Sequence, residues 1–464
     1  MSNVGSAAGG YRVENPATGE VVEKFDYATD EQIDQVLDAA HKGYLSWRDK
    51  TIEERAAIVN KVAALFGERK DELAAIIAEE MGKPIAEGVE EAEFCEAIFN
   101  YYADRGPKFA ADEPIESFSG GKAFIQRRPV GPLLGIMPWN FPYYQVARFA
   151  APNLVLGNTI ILKHAEICPR SSAKIAELMK EGGIPEGVYN NVYATHEQVE
   201  TIIADDRLEG VSLTGSERAG STVAATAGKH LKKAVLELGG SDPYIVLDTD
   251  DMDEAVDTAW GTRMYNTGQV CNANKRMIVM DDIYDEFVSG LTKRAQEWEK
   301  GTPAEAGDGK YSPLSSRGAA ENLRKQLDRA VEQGATLVGG ELATDGSAYV
   351  TPAVLTGVTS DMDAYREELF GPVATVYKVT SDDEALALAN DSRFGLGGAV
   401  FAKDPERAAK LAQRLDVGMS NVNTPAGEGA EIPFGGTKRS GFGRELGPYG
   451  MDEFVNKRMY YVAD

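Results

Sequence analysis

GVSLTGSERAGSTVAATAGKHLKKAVLELGG, residues 210–240, decides the fold of this 464-residue chain. An apolar extended stretch, Gly210 to Thr214, is broken at Thr214-Gly215-Ser216. A helical run follows from Glu217 to Gly228, and Ala234 to Leu238 is extended again. A strand, a crossover helix and a second strand within roughly thirty residues make a βαβ unit, which places the two strands parallel. Upstream, AFIQRRP (123–129), PLLGIM (132–137), TIILK (159–163) and VYNNVY (188–193) read as further extended segments between helical stretches. The fold class is therefore α/β with an open parallel sheet, which binds ligands at the carboxyl ends of its strands. Downstream of Glu237-Leu238-Gly239-Gly240 a second α/β set follows. It comprises PYIVL (243–247), a helix from Met252, KRMIVM (275–280), a helix from Tyr284, and a Gly/Pro/Ser-rich loop over 301–317. A domain boundary falls near residue 240.

The first hundred residues read as helices. Thr29-Asp30 cap a run with Ile33, Val36, Leu37 and Ala40 on one face, and Thr51 with Glu54 forms a capping box for a helix carrying Ile58, Val62, Leu65 and Phe66. A further amphipathic stretch to Met81 stops at Gly82-Lys83-Pro84. No internal repeat is present.

A chain of this length suits two or three domains. Hydrophobic residues make up 43% and charged residues 26%, as in an ordinary globular protein. No apolar run reaches the roughly 18 residues of a membrane span, and MSNVGSAAGG lacks the basic and apolar parts of a signal peptide, so a cytoplasmic location is expected. The 73 acidic against 48 basic residues leave a net charge of -25, which excludes phosphate backbones and anionic membranes as natural partners. A surface this acidic suits a salt-rich, halophilic cytoplasm; an acidic protein of an ordinary cell is the alternative. Cys95, Cys168 and Cys271 form no CxxC pair, which implies a reducing compartment, and His41, His164, His196 and His230 lack zinc-site spacing, so no metal is expected.

The dinucleotide fingerprint GxGxxG is missing. Gly441-Phe442-Gly443 is the nearest match, but it follows a polar loop instead of a strand and reads as a decoy. Thr214-Gly215-Ser216 is the better candidate, because a helix N-terminus with a close glycine receives pyrophosphate. Strand-Gly-Ser-helix turns are also common for purely structural reasons. Among the cysteines, Cys95 lies in a helical pattern and Cys168 precedes Pro169, positions typical of buried spectator thiols. Cys271 sits in the polar, Gly-punctuated Asn266-Thr-Gly-Gln-Val-Cys271, the one context suited to a nucleophile, although a lone loop cysteine is ordinarily inert.

Seven blocks in order raise that reading: Pro138-Trp139-Asn140-Phe141-Pro142, Lys163 with Glu166, Thr214-Gly215-Ser216, Glu237-Leu238-Gly239-Gly240, Gly268-Gln-Val-Cys271, Glu368-Leu369-Phe370-Gly371-Pro372, and Pro433-Phe434-Gly435-Gly436 through Arg444-Glu445. With these the chain resembles the aldehyde dehydrogenase superfamily from end to end. LELGGSDP, GQVC and LKHAE resemble its bacterial and archaeal succinate-semialdehyde branch. The resemblance implies a Rossmann-type cofactor domain over 1–106 and 129–239, an α/β catalytic domain over 240–430, and a β-ribbon oligomerisation element over 107–128 and 446–464.

It also implies roles. Cys271 is the nucleophile, and Asn140 with the Cys271 backbone N–H receives the oxyanion. Glu237 is the general base that activates water against the thioester. Lys163 and Glu166 hold the adenine ribose, Thr214, Gly215 and Ser216 meet the pyrophosphate, Glu368 and Phe370 hold the nicotinamide ribose and ring, and Trp139 and Leu238 lie beside the cofactor. A glutamate at 166 repels a 2′-phosphate, which favours NAD; Lys163, and a histidine at 164 where proline is common, leave NADP possible.

For the substrate, Arg148 lies eight residues after Asn140, and the resemblance implies that it pairs with a distal carboxylate such as that of succinate semialdehyde. A structural salt bridge is its other reading. The arginine that some semialdehyde enzymes carry shortly before the cysteine is Tyr265 here. The C-terminal FVNKRMYYVAD reads as an edge strand that, with AFIQRRP, resembles the family's ribbon, so a homodimer or homotetramer is expected. Alternatives are a dehydrogenase of other small aldehydes, a cofactor-free cysteine esterase, and a non-catalytic binding protein.

Overall fold

Apolar strands gather into two open sheets, and a polar ribbon stands apart from both. The computed structural model describes residues 10–464 apart from Ser119 and Asp308; the first nine residues of the MSNVGSAAGG segment lie outside it. The first sheet has six strands in the order Gly441–Phe442, Lys233–Glu237, Gly210–Thr214, Pro132–Met137, Thr159–His164 and Tyr189–Asn191. All pair in parallel except the outer Gly441–Phe442. The second has seven strands, Thr336–Gly339, Ala353–Thr356, Val373–Val379, Arg276–Met280, Pro243–Val246, Gly397–Phe401 and Met419–Val422, parallel apart from the first pair. The interior strands are buried almost continuously, as a parallel sheet covered on both faces demands, and the edge strands are only partly buried.

The helices begin where their caps place them. Thr29 and Gln32, and Thr51 and Glu54, form reciprocal capping boxes at the starts of Asp30–Trp47 and Ile52–Glu68, and Gly82 closes Lys70–Met81 in the left-handed conformation. Helix Tyr144–Leu156 is buried along its whole length. Arg55 donates to its last carbonyls, Val155 at 2.9 Å and Leu156 at 3.0 Å, so a helix end far from water is satisfied by a side chain from Ile52–Glu68.

Three elements differ from the sequence expectation. Tyr11–Asn15 and Glu20–Phe25 form an antiparallel hairpin, not a helical stretch. The second helix of the downstream set starts at Asp281, before Tyr284, with Asp281 and Asp282 in its first turn. The loop at 301–317 contributes Lys310–Tyr311, which pairs with Glu299–Lys300. The ribbon is antiparallel: Val455–Val462 and Glu113–Ile115 flank Lys122–Pro129. Among the described residues no helix is long and apolar enough to cross a membrane.

Candidate active site

The segment before Cys271 is bent by three consecutive left-handed residues, Asn266 (φ 48°), Thr267 (φ 52°) and Gly268 (φ 75°). For a β-branched threonine this conformation costs about 1–3 kcal/mol and persists only where its surroundings over-determine it. Arg263, fully buried, donates from Nε to the Val373 carbonyl at 2.7 Å, from Nη1 to Gly268 at 3.0 Å and from Nη2 to Leu369 at 2.8 Å. Glu87 accepts the Asn266 N–H at 2.7 Å, and Gln269 both donates to the Asn266 carbonyl and accepts the Ser315 N–H. Gly268 must be glycine, since a Cβ there would run into the Gly371 carbonyl. The loop delivers Cys271 partly buried, and burial pushes its thiol up to about 11 against the lowering effects of Arg148 and Lys275.

Asn140 lies against this loop. Its Nδ2 donates one hydrogen to the Gln269 carbonyl at 3.0 Å, its own carbonyl accepts from Asn266 at 2.8 Å, and the second amide hydrogen is left over. Among the described residues no acceptor takes the Cys271 N–H. The Asn140 amide beside the cysteine loop and the Cys271 N–H are thus both left as donors for an oxyanion.

Glu237 ends its strand 2% exposed, with neither carboxylate oxygen hydrogen-bonded among the described residues. Burial first, and then the nearby Glu445 carboxylate, push it well above the usual carboxylate range, while Arg148 and Arg444 pull the other way. The sheet leaves it room through glycines. Gly441, in the stretch read as a decoy fingerprint, pairs antiparallel with Glu237 at φ 109°, and a Cβ on Gly435 would sit 2.8 Å from Glu237 Oε1.

Arg148 is buried, 1% exposed. Its Nε forms an ion pair with Glu445 Oε2 at 2.5 Å, Nη1 meets the Tyr144 hydroxyl and Nη2 the Thr214 hydroxyl, both at 3.4 Å, and the guanidinium lies over the rings of Tyr144 and Phe434. The ion pair with Glu445 supports the structural salt-bridge reading of this arginine over a guanidinium kept for a substrate carboxylate. Spacing from Asn140 placed it on the right helix but could not show Glu445. Tyr265 donates to Glu90 at 3.0 Å and stacks on Phe141.

On the cofactor side, strand Gly210–Thr214 runs through Gly215 into Ser216, which caps helix Glu217–Lys229 by accepting the Ala219 N–H. Among the described residues the Glu217 and Arg218 amides have no acceptor, and only a Leu213 methyl lies near a Cβ placed on Gly215, so the turn fits an approaching pyrophosphate. Leu238 packs against Gly220 of that helix. Lys163 is 6% exposed and, among the described residues, has no carboxylate within ion-pair distance; the Tyr11 ring lies 5.4 Å from its ammonium. Glu166 instead accepts the Tyr27 hydroxyl at 3.2 Å. Trp139 and Phe370 meet edge to face at 5.7 Å, and Glu368 is paired with Lys275 at 3.0 Å and accepts the Gly240 N–H at 3.2 Å. Lys275, Arg263 and Glu87 carried no local signal, because each acts on residues distant in sequence or through backbone carbonyls, and Glu445, at the end of the last motif block, gave no sign of its partner.

A sequence profile of the aldehyde dehydrogenase family matches residues 4–460. The chain is 50% identical over 446 residues to a succinate-semialdehyde dehydrogenase [NADP(+)] of Deinococcus radiodurans, covering 96% of this chain and 93% of that one. It is 40% identical to a protein of the same name from Mycobacterium avium, over 97% of this chain and 96% of that one. The crystal structure of succinic semialdehyde dehydrogenase from Streptococcus pyogenes in complex with NADP+ superposes with a TM-score of 0.95 at 41% identity, covering 98% of this chain and 100% of that one.

Proposed function

The chain belongs to the aldehyde dehydrogenase family, and on that premise we propose that it oxidises succinate semialdehyde to succinate, with NADP as the favoured cofactor. The observation that carries the chemistry is Cys271 on an over-determined left-handed loop, flanked by free donors of Asn140 and of its own backbone, with the unpartnered carboxyl of Glu237 in the same buried charge network. As a thiolate Cys271 attacks the aldehyde carbon, the C–S bond forms as the carbonyl π bond breaks, and the resulting alkoxide oxygen is received by the Asn140 amide and the Cys271 N–H. When bound, the nicotinamide cofactor supplies the hydride acceptor that turns the thiohemiacetal into a thioester. Glu237 then takes a proton from water, whose oxygen attacks the thioester carbon; the C–S bond breaks and the acid leaves.

The substrate rests on the names of the relatives and not on Arg148, whose charge is already spent on Glu445. For the cofactor, Glu166 on its own favours NAD, but it is tied to Tyr27, while the buried ammonium of Lys163 forms no ion pair among the described residues and suits a 2′-phosphate. The relatives are named for NADP as well. The ribbon strand Val455–Val462 leaves Met459 and Tyr460 exposed beside an open edge, which supports pairing with a second copy in a homodimer or homotetramer. Initial rates of nicotinamide reduction with succinate semialdehyde against an uncharged aldehyde of equal length, each with NADP and with NAD, test this reading. A preference for the semialdehyde and for NADP in kcat/KM is expected; equal use of both aldehydes overturns the substrate.

A further inference from the structure

One buried cation beside the nucleophile has no part in the steps above. Lys275 follows Cys271 by four residues and is 3% exposed. Its ammonium has three acceptors: the Val270 carbonyl at 2.6 Å, the Cys271 carbonyl at 2.8 Å and Glu368 Oε1 at 3.0 Å. An ammonium has three N–H donors, so its capacity is filled.

Two consequences follow from the geometry. The Val270 carbonyl and the Cys271 N–H belong to one planar trans peptide, in which they point in opposite directions. An ammonium gripping that carbonyl therefore sets the direction of the Cys271 N–H and, by polarising the peptide, strengthens it as a donor. On its other side Lys275 holds Glu368, and the neighbouring backbone fits closely around this group. Gly240 donates to the same Oε1, a Cβ on Gly239 would strike Oε2, and a Cβ on Gly240 would come within 2.5 Å of the Cys271 carbonyl. The Phe370 ring, 5.5 Å from the ammonium, packs beside this group.

We propose that Lys275 is a positioning residue that aims the Cys271 N–H at the aldehyde oxygen and locks that aim to Glu368, so that one ammonium sets both the oxyanion donor and the cofactor-side carboxylate. The second half rests on the proposed role of Glu368 at the nicotinamide ribose. A guanidinium, planar and forked, cannot converge on the three acceptors in the same way, so arginine replaces the charge without the aim.

The test uses full-length Lys275→Met, Lys275→Arg and Glu368→Gln. The rate of the first turnover, the KM values for cofactor and aldehyde, and the pH profile of Cys271 alkylation by iodoacetamide without cofactor or substrate are measured. Lys275→Met is expected to slow the first turnover about tenfold or more and to raise the cofactor KM with little change in aldehyde KM. Its alkylation profile moves to higher pH because a positive charge beside the thiol is gone. Lys275→Arg keeps the wild-type alkylation profile yet stays slow in the first turnover. Glu368→Gln raises the cofactor KM and moves alkylation to lower pH. Wild-type first-turnover rates in both lysine variants overturn the proposal. Should Lys275→Met not fold, a wild-type rate in Lys275→Arg does so alone. If the wild-type enzyme oxidises no semialdehyde, the substrate reading falls, while an unmoved alkylation profile in Lys275→Met still counts against Lys275 independently.

Discussion

Arg148 and Glu445 meet as an ion pair, Nε to Oε2 at 2.5 Å, where both side chains are buried. Removing one partner of such a pair leaves an uncompensated charge, which costs about 3–5 kcal/mol. Arg148→Ala is therefore expected to lower stability by about that amount in urea unfolding, and to reduce kcat with charged and uncharged aldehydes alike. A variant that keeps its stability and loses only its KM for the charged aldehyde would restore Arg148 as the substrate anchor.

Glu237 stands beside this pair, and the Glu445 charge helps to keep its proton on. A base must be ionised to accept a proton from water, so thioester hydrolysis is expected to speed up as pH rises through the Glu237 titration. Glu445→Gln removes one raising charge and frees Arg148 to act on Glu237, so the rising limb moves to lower pH. Glu237→Gln should retain a first burst of nicotinamide reduction and lose about 10²-fold to 10⁴-fold in steady turnover. A burst lost together with turnover would place Glu237 in the first step instead.

The parallel sheets and the long helices were legible because their signals are local: capping boxes at Thr29 and Thr51, and buried apolar strands such as Thr159–His164. The hairpin at 11–25 was not, because Glu20–Phe25 is exposed along most of both faces and shows no apolar alternation. Cys271, Glu237 and Asn140 were singled out through their motif blocks, and the structure brings Asn140 against the cysteine loop. The pairing of Arg148 with Glu445 was not legible, because helix position is a local property and a partner distant in sequence is not. Lys275 was missed because two of its three acceptors are backbone carbonyls, which no side-chain pattern reveals.

Glu87 links stability to pH. Its ordinary value of 4.5 is pushed up to about 8, by burial first, while the neighbouring Lys83 and the Asn266 N–H it accepts pull it down. A carboxyl whose folded value is raised holds its proton more tightly in the folded state, so its stabilising contribution is full below pH 4.5 and is lost as pH climbs to about 8. Glu87→Gln keeps an acceptor for Asn266 and cannot ionise. Its Tm should fall less than that of the wild type across this window; an identical fall in both proteins rules out Glu87 as a source of the pH dependence.

Thr267 and Arg263 make opposite contributions to the loop that carries Cys271. The threonine stores strain at φ 52°, and the three donors of Arg263 to Val373, Gly268 and Leu369 keep the chain there. Glycine takes this conformation without strain but loses about 0.5–1 kcal/mol in unfolded-state entropy, so Thr267→Gly is expected to stabilise the wild type by up to about 2 kcal/mol. In Arg263→Lys the forked grip is gone and the loop relaxes, so the same substitution should gain less, and a double-mutant cycle in urea reads the difference as coupling. Both single variants should lose kcat, since Cys271 is then held less firmly against Asn140. Equal gains from Thr267→Gly in the two backgrounds would mean that Arg263 does not hold the strain.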